Sequence, residues 1–142
     1  ERHGPGQPRV RIERSVQGMG SLIHTPIEGG TVAIRNLHSR DELLKLAENA
    51  RNAPPFRCDS ERQKRERYKQ ALASCDFMEF LSILHSVEHR REQFASIGKR
   101  LSDTDERYAQ RAADAIFAEA CLVMDCKREK IAEMFGIPAR LI

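Results

Sequence analysis

Residues 101–124, "LSDTDERYAQRAADAIFAEACLVM", decide what kind of fold this chain can have. Ser102 stands three residues before Asp105 at the head of a run without Gly or Pro, which is the opening signal of a helix. Ala109, Ala112, Ala113, Ala115, Ala118 and Ala120 let another helix come close, while Tyr108, Ile116 and Val123 supply bulk. Glu119 falls on the apolar side of this helix, so it needs a basic or backbone partner. A helix of this composition requires neighbours to cover it.

Those neighbours can be read on both sides. Ser39 with Glu42 forms a capping box ahead of "RDELLKLAENA", and the prolines of "NAPPF" (52–56) stop that helix. Asp59 or Ser60 opens "ERQKRERYKQALA"; Asp76, with Glu79 behind it, opens "FMEFLSILHSVEHRREQF", and Gly98 breaks the chain. A short helix, "KREKIAEMF", ends at Gly136. Upstream the texture changes. "RVRIERSV" (9–16) alternates with the period of a half-buried strand, "QGMG" reads as a turn, and "SLIHTPI" (21–27) follows as a second strand. A two-stranded hairpin is marginal alone and must pair with further strands or lean on the helices. The expected fold is α+β, mostly α, with a small β element and linker over residues 1–38 and a five-helix domain over 39–142.

Composition narrows the function classes. The 142 residues, 40% hydrophobic, support one medium core rather than a cleft between two full domains. The longest apolar run, "AIFAEACLVM", is interrupted by Glu119 and falls short of the roughly 20 residues a bilayer crossing needs. No signal peptide is visible, and an opening at Glu1 rather than Met gives the expectation of a fragment or the ordered portion of a longer protein. Cys58, Cys75, Cys121 and Cys126 form no C-x-x-C pair, which fits reduced thiols in a cytoplasmic protein. A net charge of +3 is too mild to announce nucleic-acid binding, so the distribution of charge matters more.

That distribution is uneven. Residues 57–69 hold Arg57, Arg62, Lys64, Arg65, Arg67 and Lys69 against Asp59, Glu61 and Glu66. Arg62, Arg65 and Lys69 recur at helical spacing on one face, and a second basic cluster follows at Arg90, Arg91, Lys99 and Arg100, with Arg107 just beyond. Converging, they would track phosphates; otherwise they form a solvated face with internal ion pairs. A different chemistry is suggested by "HSVEH" (85–89), which fits the H-x-x-E-H pattern of inverted zinc proteases. His85 and His89 flank the apolar stripe Phe77, Phe80, Leu81, Leu84 and Val87 about 40° apart. A zinc hydrolase also needs a third ligand and an open water position, which the surrounding sequence does not advertise. Glu88 projects nearly into the stripe, where a neighbouring Arg is the ordinary partner. No metal or cofactor is expected.

"SLIHTPIE", "IRNLHSRDEL", "ERYKQALASCDFMEFLSIL" and above all "GKRLSDTDERYAQRAADAIFAEACLVM" stand in an order and at spacings that resemble the CarD family of bacterial transcription regulators, also called the CarD/CdnL group. The resemblance spans roughly residues 9 to 135. It implies a Tudor-like β domain that binds the β subunit of RNA polymerase, here reduced to its final hairpin, and a helical domain that contacts promoter DNA and stabilises the open complex. It also implies no catalysis and no small-molecule substrate.

On this resemblance, Arg9, Arg11, Arg14 and His24 are the expected polymerase contacts, docking a partner strand by β-augmentation. Phe56, Arg57, Arg62, Arg65, Lys69, Arg90, Arg91, Lys99, Arg100 and Arg107 are the expected DNA contacts. Family members often use a Trp near the start of the second helix as a wedge at the edge of the bubble. This chain has no Trp, and Phe56 lies closest to that position, either as a stand-in or as a staple under its own helix start. Cys75 replaces the family's usual Gly before the next helix, which suggests a different turn. A polymerase-binding module without DNA activity is the alternative consistent with the missing Trp.

Overall fold

The computed structural model describes three strand backbones and every residue from 37 to 142. The strands β1 (Arg11–Arg14), β2 (Ser21–Pro26) and β3 (Val32–Asn36) form an antiparallel sheet in the order β1-β2-β3, with Ile23 opposite Ile12 on one side and Arg35 on the other. Five α-helices follow: α1 (Arg40–Glu48), α2 (Glu61–Ala73), α3 (Phe77–Ser96), α4 (Asp103–Met124) and α5 (Arg128–Phe135). Short 3-10 turns lie at Ala50–Asn52 and Ala139–Leu141. Among the described residues no helix is long and apolar enough to cross a membrane.

Each of the first four helices starts where a side chain satisfies its free N–H groups. Ser39 Oγ accepts from the N–H of Glu42, and Glu42 Oε1 accepts from the N–H of Ser39 at 2.7 Å, closing the expected capping box. The same hydrogen bond from the Ser39 backbone holds the Glu42 carboxyl below its usual range. Ser60, rather than Asp59, caps α2 by accepting from Gln63 N–H, Asp76 caps α3, and Ser102 caps α4.

Helices α3 and α4 make the spine of the core. Phe77, Phe80, Leu81, Leu84 and Val87 are all buried, and Ile83, Ser82 and Ser86 are buried with them. The first half of α3 is thus covered on more than one side, as expected for a helix lying between α2 and α4. Across it, Ala109, Ala112, Ala113 and Ala120 are fully buried beside Ile116 and Phe117. Glu119, also fully buried, finds both kinds of partner in one residue: His38 donates its backbone N–H to Oε2 at 2.6 Å and sets its ring Nδ1 2.9 Å away. His38 stacks on Phe77 at 5.1 Å, so the approach to α1 is tied to both spine helices.

Among the described residues Cys75, Gly98, Asp125 and Gly136 have left-handed backbone. Cys75 has φ +58° and is buried between α2 and α3; the thiol residue keeps a glycine-type turn instead of the altered turn suggested by the substitution. After α3, Gly98 has φ +72°, and the N–H groups of Lys99 and Gly98 return to Phe94 O at 2.8 Å and Ala95 O at 3.0 Å. This pair of bonds is a Schellman motif. A Cβ on Gly98 would meet nothing within 4 Å, so only backbone strain opposes Gly98→Ala. The variant is expected to lose about 1–2 kcal/mol in urea denaturation; unchanged stability would mean that the turn is not held in this conformation.

Candidate functional site

The charged residues of α2 divide by helical spacing into two sets. Lys64, Tyr68 and Ala71 point inward and are buried, whereas Arg62 and Arg65 are exposed and Lys69 is partly so. The inward Lys64 meets Asp105, the third residue of α4, which occupies the inward row it shares with Ala109 and Ala112. Asp105 is fully buried and both its oxygens are saturated. Lys64 Nζ lies 2.8 Å from Oδ1 and 3.0 Å from Oδ2. Tyr68 Oη donates to Oδ1 at 3.2 Å, and Arg90 Nε and Ser102 Oγ donate to Oδ2 at 3.2 and 2.9 Å. Glu61 closes the ring from outside, 2.6 Å from Lys64 Nζ and 3.1 Å from Arg90 Nη2.

The electrostatics follow from this packing. Burial alone would raise the Asp105 carboxyl, but hydrogen bonds from Lys64 and Ser102 and the charges of Lys64 and Arg90 outweigh it, so the group titrates below its usual range. The Lys64 hydrogen bond likewise lowers Glu61. Burial, reinforced by the negative charge of Asp105, pushes the Tyr68 phenol far upward, so it stays a neutral donor.

The cluster joins the first turns of α2, the second half of α3 and the first turn of α4. These three elements therefore share one end of the bundle. At that end Arg57, Arg62, Arg65, Lys99, Arg100 and Arg107 are exposed, and none has a carboxylate within ion-pairing distance among the described residues. Lys69 makes only a long contact of 3.9 Å with Glu66, and Arg91 one of 3.7 Å with Glu106. Such exposed pairs hold little energy and leave the cations available.

Arg90, one of the expected DNA contacts, has its guanidinium on Asp105 and Glu61 and over the Phe94 ring at 5.2 Å. Phe56 is another of them. Its N–H donates to Ser86 Oγ at 2.7 Å, its ring sits 6.3 Å from Tyr68, and the Arg67 guanidinium covers it at 4.1 Å while bonding Glu79. Phe56 thus packs against α2 beneath Arg67. The expected polymerase contacts Arg9, Arg11, Arg14 and His24 lie outside the residues whose side chains the structure describes.

Two of the three pattern residues in "HSVEH" are also tied down. His85 Nδ1 lies 2.7 Å from Ala53 O, and Glu88 pairs with Arg140. Among the described residues no three His, Cys, Asp or Glu side chains are placed to hold one metal ion. A groove of about 570 Å³ opens between the segment from Pro55 to Glu61 and α3, with Lys64, Tyr68, His89 and Arg90 on its wall. Its buried cation, Lys64, is already paired, so the groove offers a ligand no uncompensated buried charge.

In the sequence Asp105 reads only as part of the α4 cap, so its cluster is not visible there. A signal was present: Lys64 stands in the inward row of α2 and Asp105 in that of α4, an isolated opposite charge in each.

Removing Asp105 leaves the buried Lys64 with only the exposed Glu61 as its ionic partner. Asp105→Ala is expected to cost about 3–5 kcal/mol in urea denaturation. Because the folded carboxyl titrates below the unfolded one, its contribution is full above about pH 4 and disappears as pH falls through the lower folded value. Between pH 5 and pH 2, Asp105→Asn should therefore lose less stability than the parent chain. Equal acid sensitivity of the two would show that folding does not lower the titration of Asp105.

Set against known proteins, the chain matches no family model and no curated protein.

Proposed function

We propose that this chain is a CarD-like transcription regulator whose helical domain lies against promoter DNA while its N-terminal strands bind the β subunit of RNA polymerase, with no catalytic role of its own. The observation that carries this reading is the sorting of the cations. Lys64 and Arg90 are committed to the buried Asp105 and Arg67 to the half-buried Glu79, whereas Arg57, Arg62, Arg65, Lys99, Arg100 and Arg107 are exposed. A solvated face balanced by internal pairs would match each outward Arg of α2 with a carboxylate one turn away; among the described residues Glu66 pairs with Lys69 rather than Arg62, and Glu61 with Lys64 and Arg90 rather than Arg65. Unpaired cations on the ends of rigid helices are suited to phosphates, which each contact binds by releasing condensed counterions.

A second reading keeps polymerase binding and drops the DNA. It is favoured by Phe56, whose ring is covered by Arg67 and therefore does not stand out where the family's Trp wedge would.

Binding to a forked promoter duplex across a salt series separates the two. The parent chain should bind with a negative log–log salt slope, and Arg62→Glu with Arg65→Glu should weaken binding at least about tenfold and flatten the slope by roughly one per lost contact. Capture by the isolated polymerase β lobe should be unchanged in that variant. Capture without any duplex binding by the parent chain would establish the second reading, and absence of both would remove the regulator altogether.

A further inference from the structure

The far end of α4 brings together two of the four cysteines. The helix stops at Met124 because Asp125 turns left-handed, with φ +54°, and the N–H of Cys126 then returns to Cys121 O at 3.2 Å. A helix end closed by a bond of this span frequently sets the side chains of the two bonded residues against each other in apolar contact. Here those two positions are Cys121 and Cys126. Both pack against the core while keeping part of their surface in solvent.

Standard bond lengths and the 3.2 Å hydrogen bond hold the two Cα atoms within about 7 Å, the separation beyond which cysteines cannot be bridged without moving backbone. The Cys126 thiol donates to Met124 O at 3.3 Å, and Arg40 Nη1 donates to the same oxygen at 3.2 Å. Loss of the thiol proton therefore leaves that carbonyl satisfied. Burial pushes the Cys121 thiol up; Arg128 opposes this, and Cys126 adds to the rise, as a nearby thiolate would. The other two cysteines stand elsewhere: Cys75 is buried between α2 and α3, and Cys58 lines the groove ahead of α2.

We propose that Cys121 and Cys126 are a modification site, a dithiol that a small disulfide of the glutathione type oxidises to a ring locking the turn between α4 and α5. The Cys126 thiolate attacks one sulfur of the disulfide, forming a mixed S–S bond as one glutathione leaves. The Cys121 thiolate then attacks the Cys126 sulfur, closing the ring and expelling the second glutathione. The chain gives up two protons and two electrons, and one glutathione disulfide becomes two thiols. Because the second step needs the Cys121 thiolate, it quickens as pH rises toward that group's elevated titration. An accessible pair of this kind belongs to the labile rather than the structural class of disulfides. Closure fixes the left-handed turn at Asp125 and with it the exit into α5, which packs on α1 and α4. Nothing in this chemistry requires duplex binding.

Trypsin releases both thiols in a single peptide, residues 112–127, which carries no other cysteine. The native full chain is held in a glutathione redox buffer at about pH 8, near the titration of an ordinary thiol, then quenched in acid, alkylated and mapped by mass spectrometry. The parent peptide should be lighter by two hydrogens, in a fraction set by the ratio of glutathione disulfide to squared glutathione and independent of protein concentration. Cys121→Ser and Cys126→Ser should each instead hold one glutathione on the remaining thiol. That adduct should be lost at least about tenfold more slowly than in the parent chain, where the neighbouring thiol displaces it. The ring should form several-fold more readily in the folded chain than in urea, and amide exchange of residues 124–131 should slow once it has formed. Two glutathiones on the parent peptide, disulfide-linked dimers in place of the ring, or equal closure in urea would overturn the pairing. Unchanged exchange in the ring-closed chain would overturn the lock on the turn.

Discussion

Asp105 is the constraint on which the arrangement of the bundle depends. A carboxylate removed from water is costly, and it persists here because five hydrogen bonds or ion contacts from four side chains converge on its two oxygens. Those side chains come from α2, α3 and the cap of α4. No other described polar group joins three helices in this way, and none of the hydrophobic contacts nearby is as directional. Apolar packing between α3 and α4 supplies most of the driving force for folding. The ion cluster sets where α2 lies along that pair, because Lys64 and Tyr68 can reach Asp105 in only one register.

Fixing α2 in this way also decides which cations are internal. With Lys64 turned inward, Arg62 and Arg65 must face out, since they lie on the other side of a 3.6-residue period. Arg90 is drawn toward Asp105 and Glu61, which leaves the following turn of α3 and the connection to α4 to carry Lys99 and Arg100 into solvent. The exposed charge at this end is therefore a consequence of the buried one, and the chain from packing to surface chemistry runs through a single residue. The capping of α4 belongs to the same device, because Ser102 both accepts from the Asp105 N–H and donates to its carboxylate.

Much of the helical domain was legible because its signals are local. Ser39 with Glu42, Asp76 and Ser102 mark helix starts by chemistry that acts within one turn, and the alanines of α4 mark a close helix contact by size alone. The need of Glu119 for a partner was also readable, although the partner, His38, lies 81 residues away and could not be named from spacing. What escaped were matters of direction. Periodicity says that Arg62, Arg65 and Lys69 share a face, but it does not say which flank of α3 turns Arg90 inward while Arg91 stays out. Phe56 follows two prolines and precedes a basic run, so its position alone suits both a wedge and a staple; that Arg67 covers its ring and Ser86 takes its N–H is visible only in the fold. Cys75 shows a further limit, since a side chain other than Gly can hold the left-handed turn that Gly would favour.

On the proposed function, the end of the bundle assembled around Asp105 is the surface that meets duplex DNA. Hydrogen–deuterium exchange of the full chain, with and without a forked promoter duplex at low salt, tests it most directly. Protection concentrated in residues 57–65 and 97–107, with the middle of α4 unchanged, is the expected pattern. Protection confined to α1 and α5, or none at saturating duplex, would contradict it.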